Sequence, residues 1–198
     1  MLVIERMTTN PITVTGDLSV GQALQIVQER RVRHLPVVDD QDNLVGIVSE
    51  KDLLRADSAD TLRVVMTPDV ITVTEYTALE EAARIMADGK VSSLPVMRDG
   101  RLVGIITETD LFNIFLELLG ARIPGLRLTM LVPEEQGTLA NVTGEIAAMG
   151  GNIIAMGTFK GEDPTNRLLT IKVAGIPGEK LVAVMEALGM EMVDVREG

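Results

Sequence analysis

Internal repetition constrains this chain more than any other feature. Residues Met7–Asp39 align with Met66–Arg98 without a gap at an offset of 59. After a one-residue deletion, LVGIVSEKDLL (Leu44–Leu54) aligns with LVGIITETDLF (Leu102–Phe112), 7 of 11 residues being identical. A repeat of this length is one supersecondary unit, and two copies predict a closed pseudo-twofold pair instead of a solenoid. Each copy reads β-α-β-β-α. The β-branched run ITV (Ile12–Val14 and Ile71–Val73) starts a strand. Ser19 with Gln22, and Thr77 with Glu80, have capping-box spacing. They open segments apolar at i, i+3, i+4 and i+7: Val20, Ala23, Leu24, Val27, then Leu79, Ala82, Ala83, Met86. That period predicts a helix with one buried stripe. Two apolar strands follow, joined by polar turns at Asp39–Asn43 and Asp99–Gly100, and a second helix begins near Glu50 and Glu108.

From Gly120 the pattern changes. Gly120–Gly125 is punctuated as a linker by Gly and Pro. Beyond it come strand LRLTMLV, helix TLANVTGEIAAM, strand NIIAMGTF, turn GEDPTN, strand RLLTIKVA, helix GEKLVAVMEAL and strand MEMVDVR. This βαββαβ order predicts a ferredoxin-like layout. The expected division is 1–59 and 60–119 for the two repeats, 120–126 for the linker and 127–198 for the last domain.

Composition removes several functions. The chain carries 18 Lys+Arg against 29 Asp+Glu, a net charge of −11, with four aromatic residues in 198. Nucleic-acid binding calls for a basic surface and, for single strands, aromatic stacking faces, so no nucleic-acid partner is expected. With no Cys there is no thiolate nucleophile or Zn–thiolate site, and His34 is the one histidine. No nucleophile–base pair or metal cluster stands at informative spacing, so we expect no catalytic residue, no catalytic cofactor, no metal and no enzyme activity. Glu5 and Arg6 fall where a signal peptide would be apolar. The longest apolar stretch, Ile146–Phe159, is interrupted by Gly150, Gly151 and Asn152 and is shorter than the about 20 residues that span a bilayer. The expectation is a cytoplasmic protein that does not cross a membrane.

The sharpest motif is G-h-x-[ST]-x-x-D, in GIVSEKD (Gly46–Asp52) and GIITETD (Gly104–Asp110). Read locally, Ser49 with Asp52 and Thr107 with Asp110 are helix caps. The same atoms suit a nucleotide: free N–H groups at a helix start receive a phosphate, and a carboxylate one turn in receives a ribose diol. The glycine lets a ligand or a neighbouring strand approach closely.

With ITV, the Leu-Pro-Val strand and this motif each present twice, residues 7–54 and 66–112 resemble a tandem pair of cystathionine-β-synthase (CBS) domains, a Bateman module. The resemblance implies adenine nucleosides or nucleotides (AMP, ADP, ATP or S-adenosylmethionine) in clefts built from both copies. Carried over, cleft A uses Ser49, Lys51, Asp52, Thr72, Ser92, Ser93 and Pro95. Cleft B uses Thr13, Arg33, His34, Pro36, Thr107 and Asp110. Cleft B holds Arg33, whose fork suits phosphate oxygens, where cleft A holds Ser92, so cleft B is expected to prefer the more highly phosphorylated ligand. None of the four aromatics falls in the cleft motifs, so adenine is expected between aliphatic groups.

The string Glu134–Ile153 (EEQGTLANVTGEIAAMGGNI) resembles the start of an ACT domain, although the usual Asp-x-Pro-Gly turn has lost its Pro and shifted its acid. The resemblance implies dimerisation or amino-acid binding, with Gly137, Leu139, Asn141 and Asn152 as candidate contacts. Gly137 is equally what a tight strand-to-helix turn needs. Taken whole, the α/β (α+β) chain is similar to the bacterial acetoin-utilisation CBS–ACT regulators. The expectation is a non-enzymatic homodimeric ligand sensor with an unknown effector protein, or alternatively a constitutive dimerising scaffold with no ligand.

Overall fold

The computed structural model describes residues 1–161 and 163–198; Glu162, in the GEDPTN turn, lies outside the described residues. The chain forms two compact units, Met1–Phe112 and Asn113–Gly198.

In the first unit the repeat is visible bond by bond. A 3-10 turn (Val3–Glu5) leads into β1 (Thr8–Thr9). The first copy then runs β2 (Val14–Thr15), α1 (Val20–Arg30), β3 (His34–Val38), β4 (Leu44–Ser49) and the single turn α2 (Glu50–Leu53). After α3 (Leu62–Val65), the second copy runs β5 (Val73–Thr74), α4 (Leu79–Gly89), β6 (Ser93–Arg98), β7 (Arg101–Thr107) and the start of α5 (Glu108–Leu118), whose residues from Asn113 on belong to the second unit. In each copy a parallel pair (β2–β3, β5–β6) is followed by an antiparallel hairpin (β3–β4, β6–β7). The helix stripes read from the sequence are the buried ones: Val20, Ala23 and Val27 in α1, and Leu79, Ala82 and Met86 in α4. They face strand residues such as Leu35, Val37 and Val48, or their equivalents Leu94, Val96 and Ile106, all fully buried.

The segment before each β-α-β-β unit completes the other copy. Strand β1 pairs antiparallel with β7, placing Thr8 opposite Ile105 and Thr9 opposite Gly104, and Thr67 bridges Ile47 in the equivalent way. Val3 and Leu62 plug equivalent sites, both fully buried, with Val3 N–H donating to Thr77 O and Leu62 N–H to Leu18 O at 2.9 Å each. Each motif glycine accommodates this crossing. A Cβ on Gly46 would lie 2.5 Å from Met66 Sδ, and one on Gly104 the same distance from Met7 Sδ. The close approach foreseen at these glycines is therefore made by methionine side chains of the crossing segments.

The two expected capping boxes differ. Ser19 and Gln22 form theirs, with Gln22 N–H donating to Ser19 Oγ at 3.2 Å and Ser19 N–H to Gln22 Oε1 at 3.1 Å. Thr77 instead accepts from Thr74 N–H at 3.1 Å, and α4 starts after Ala78, with Leu79 N–H donating to Met1 O. The bond to Met1 is the repeat equivalent of Val20 N–H donating to Asp60 O at 2.9 Å, so it accompanies a side-chain cap in the first copy and stands without one in the second.

The second unit is a four-stranded antiparallel sheet of order β11-β8-β10-β9. Its elements are β8 (Leu126–Pro133), α6 (Thr138–Ala148), β9 (Asn152–Lys160), β10 (Asn166–Ala174), α7 (Gly178–Ala187) and β11 (Glu191–Glu197), the βαββαβ order read from the sequence. Alternate strand residues Leu128, Met130, Val132, Leu169, Ile171 and Val173 pack against Val142, Ile146, Leu181 and Met185 of the helices. Gly137 takes φ 93° at the N-terminus of α6, a left-handed conformation that glycine adopts without steric cost. No helix among the described residues is long and apolar enough to cross a membrane.

Candidate functional site

The first unit contains a cavity of about 480 Å³ walled by both copies, a size that suits a small-molecule ligand. One side comes from the first copy and its lead-in: Thr8, Asn10, Pro11, Ile12, Arg31, Val32, Arg33 and His34. Opposite stand Ile105, Thr107, Glu108, Thr109 and Asp110, and Ser49, Glu50, Lys51 and Ser92 close the middle. The hairpin register explains the convergence, since His34 faces Ser49 across β3–β4 as Ser93 faces Thr107 across β6–β7. At the cavity, side chains of the two copies bond directly. Arg33 Nη2 donates to Thr109 Oγ1, and His34 Nε2 shares a hydrogen bond of 2.7 Å with Ser92 Oγ.

The Ser/Thr–Asp motifs are capping boxes with matching geometry. Ser49 Oγ donates to Asp52 Oδ2 at 2.6 Å, and Ser49 N–H reaches the same oxygen at 2.9 Å. In the second copy Thr107 Oγ1 and N–H reach Asp110 Oδ2 at 2.7 and 2.9 Å. Each hydroxyl also accepts from the Asp N–H at 3.3 Å. Each hydroxyl proton is thereby committed to its own carboxylate, so toward a ligand the hydroxyl acts as an acceptor. The bonds among the described residues all use Oδ2, which leaves Oδ1 of each carboxylate to receive another donor.

The long helix of each copy closes on a left-handed cation, and one of the two, Arg31, lines the cavity. Helix α1 ends on Arg31 in the left-handed region (φ 53°), and α4 ends on Lys90 at the same φ. A side chain there costs on the order of 1 kcal/mol relative to glycine. Asn10, on the cavity wall, is also left-handed at φ 49°.

Burial, and then the Arg33 charge, pull the His34 pKa below its ordinary value, opposed by Asp52 and Glu108. The folded state therefore binds a proton at His34 less readily than the unfolded chain does. The resulting stability is present above the unfolded pKa of about 6.5 and is lost as pH falls through the lower folded value. Chemical denaturation from pH 8 to pH 5 should show this decline, and H34Q should flatten it. An equal decline in H34Q would assign it to other groups.

Residues read for the two clefts are partly regrouped. Arg33, His34, Thr107 and Asp110 of cleft B share the cavity with Ser49, Lys51 and Ser92 of cleft A. Of the remaining cleft B candidates, Thr13 is exposed and Pro36 is buried, and neither lines the cavity. Thr72 is exposed, Asp52 half-buried, and Ser93 and Pro95 buried. The wall takes Pro11, Ile12 and Val32 because β2 starts only at Val14, whose side chain turns into the core, leaving the residues before it beside the cavity. Its apolar surface, Pro11, Ile12, Val32 and Ile105, is aliphatic.

In the second unit, Leu139 lines a small cavity of about 190 Å³ beside the Arg167–Glu134 ion pair. Gly137, Asn141 and Asn152 do not line it; Asn152 is the exposed first residue of β9, opposite Ala174.

Residues 3–59 and 62–117 each match the CBS domain family. The chain belongs to it. Residues 124–196 match the TTHA0829-like ACT domain, so a CBS pair is followed by an ACT-like domain. CBS and ACT domains are regulatory modules. The CBS pair resembles that of protein MJ0100, solved with 5'-methylthioadenosine and S-adenosyl-L-methionine, at 32% identity and TM-score 0.57, over 62% of this chain and 98% of that one. It resembles a Vibrio cholerae protein assigned to acetoin utilization (AcuB) at 34% identity and TM-score 0.56, over 62% and 95%. It also resembles CBSX2 in complex with AMP at 36% identity and TM-score 0.54, over 58% and 96%. Among curated proteins, inosine-5'-monophosphate dehydrogenase of Nitrosopumilus maritimus is 38% identical over 54% of this chain. The chain spans 21 to 42% of the length of the first three such relatives.

Proposed function

We propose that the chain is a non-enzymatic ligand sensor that binds an adenine nucleoside or nucleotide in its CBS pair. The observation that carries this reading is the cavity shared by both copies. Its aliphatic wall suits a base, Asp110 Oδ1 suits a ribose hydroxyl, and Arg33, Arg31 and Lys51 suit phosphates. Adenosine-containing ligands held by CBS pairs of similar structure support it. The ACT-like domain dimerises the chain or senses an amino acid, and the proposed setting is cytoplasmic. A constitutive scaffold with unfilled clefts is the rival, favoured by the capping boxes, which satisfy the Ser/Thr and Asp groups internally.

A thermal-shift panel with AMP, ADP, ATP, S-adenosylmethionine and amino acids separates the two, because a ligand of the folded state raises the midpoint. The sensor predicts a rise with at least one adenine compound, and no rise with any supports the scaffold. Calorimetry of D52A and D110A resolves the clefts. Asp110 lines the cavity and Asp52 does not, so D110A should weaken the binding of AMP and ATP alike through the lost ribose bond, and D52A should not. Equal losses for every nucleotide in both variants would remove the asymmetry.

A further inference from the structure

The open face of the C-terminal sheet, opposite the helices, carries a row of cations. Arg196 lies directly across from Arg127 on β11–β8, and Arg127 directly across from Lys172 on β8–β10. Like charges placed opposite one another on neighbouring strands repel, so such a row is unfavourable unless something anionic sits on it. Asp194 serves two members, at 2.8 Å from Arg196 and 3.4 Å from Arg127. Lys172 is only 6% exposed, and its Nζ donates to the Gly120 carbonyl at 3.2 Å. Among the described residues no carboxylate stands within ion-pair distance of it. A buried ammonium served by one neutral acceptor retains donors and charge for a further partner.

That partner has room. A cavity of about 540 Å³ opens over the row. The hydroxyls of Thr129 and Thr170, 3.1 Å apart, occupy the next row, and Gly157 opposite Thr170 keeps the space clear. Ala155, Met156 and Phe159 give the cavity an apolar side, and Glu197 and Gly198 also line it, a Cβ built on Gly198 lying 3.7 Å from Lys172 Nζ. We propose that this face binds a small organic oxyanion, a carboxylate or a phosphate, whose charged end rests on Lys172 and Arg127 and whose apolar part lies against Phe159. The site is at the far end of β8 from the Gly137 turn and shares no lining residue with the nucleotide cavity.

Calorimetry of the full chain with acetate, 4-methylpentanoate and inorganic phosphate, at constant ionic strength, tests it. At least one probe should bind saturably, and K172M should weaken that binding at least tenfold. D110A should leave it unchanged. Preference for 4-methylpentanoate or for phosphate assigns the natural ligand to carboxylates or to phosphate esters. T170V, which keeps every charge, should weaken binding roughly threefold, and it decides the matter should K172M fail to fold. Absence of saturable binding by all three probes overturns the proposal, as does wild-type affinity in K172M. A change of oligomeric state in K172M with no anion dependence would show the face to be a contact between copies, and would equally overturn it.

Discussion

Replacing Arg33 with Met is expected to weaken ATP binding by roughly tenfold or more while changing adenosine binding little. The guanidinium stands on the cavity wall with one N–H donated to Thr109 Oγ1, which holds it across the boundary between the copies with other donors still available. A hydrogen bond to a charged group contributes about 1.5–3 kcal/mol, and about 1.4 kcal/mol corresponds to a factor of ten in affinity. R33K should recover only part of the loss, because an ammonium lacks the fork that engages two phosphate oxygens while reaching Thr109. Arg63 provides the control. It is exposed and paired with Asp17 at 2.8 Å, and exposed pairs of this kind contribute little. R63M should therefore bind ATP as the wild type does. Calorimetry with ATP and adenosine reads both variants, and an equal loss for the two ligands in R33M would mean that Arg33 shapes the cavity without meeting phosphate.

Substituting Val for Gly104 should destabilise the first unit by about 1–3 kcal/mol, the usual cost of overpacking a filled site. Any Cβ there meets Met7 Sδ at 2.5 Å and the Thr8 carbonyl at 3.1 Å. The methionine side chain has freedom to move. The Thr8 carbonyl belongs to β1, which is paired with β7 at Thr9–Gly104, so relief requires β1 to leave its partner. Thr8, Asn10, Pro11 and Ile12 line the cavity, so the same displacement should reduce nucleotide affinity. Gly144 gives the opposite sign. It lies exposed within α6, nothing approaches a Cβ built on it, and G144A should stabilise by about 0.5–1 kcal/mol through helix preference. Urea denaturation of both variants checks the pair. A G104V protein as stable as the wild type would show that the crossing segment is not anchored at this glycine.

Much of this architecture is legible in the residues because the repeat enforces it. Matched apolar stripes place α1 and α4, and the hydroxyl–acid spacing places the helix starts at Glu50 and Glu108. The pairing of β1 with β7 was not legible. Thr8–Thr9 is a two-residue strand without hydrophobic alternation, its partner lies far along the chain, and a pattern argument has no purchase on so short an element. Thr77 shows a second limit: the gapless repeat sets Ala78, not Thr77, opposite Ser19, and Thr77 turns back to accept from Thr74 N–H, so its spacing to Glu80 goes unused. The cavity wall shows a third. A motif aligned between copies assigns residues to separate clefts, whereas the approach of His34 to Ser92 brings Ser49, Lys51 and Ser92 to the same space as Arg33 and Asp110. A single lysine in a strand carries no spacing signal, so the place of Lys172 is not legible in the residues. Only the register places it beside Arg127 and Arg196.

A crystal structure of the full chain grown with saturating ATP would show whether the cavity between the two CBS copies receives an adenine nucleotide. The base is expected against Ile12, Val32 and Ile105, the ribose within hydrogen-bond reach of Asp110 Oδ1, and the phosphates at Arg33. Density for ATP elsewhere on the molecule, or a cavity holding only water at saturating ATP, would contradict it.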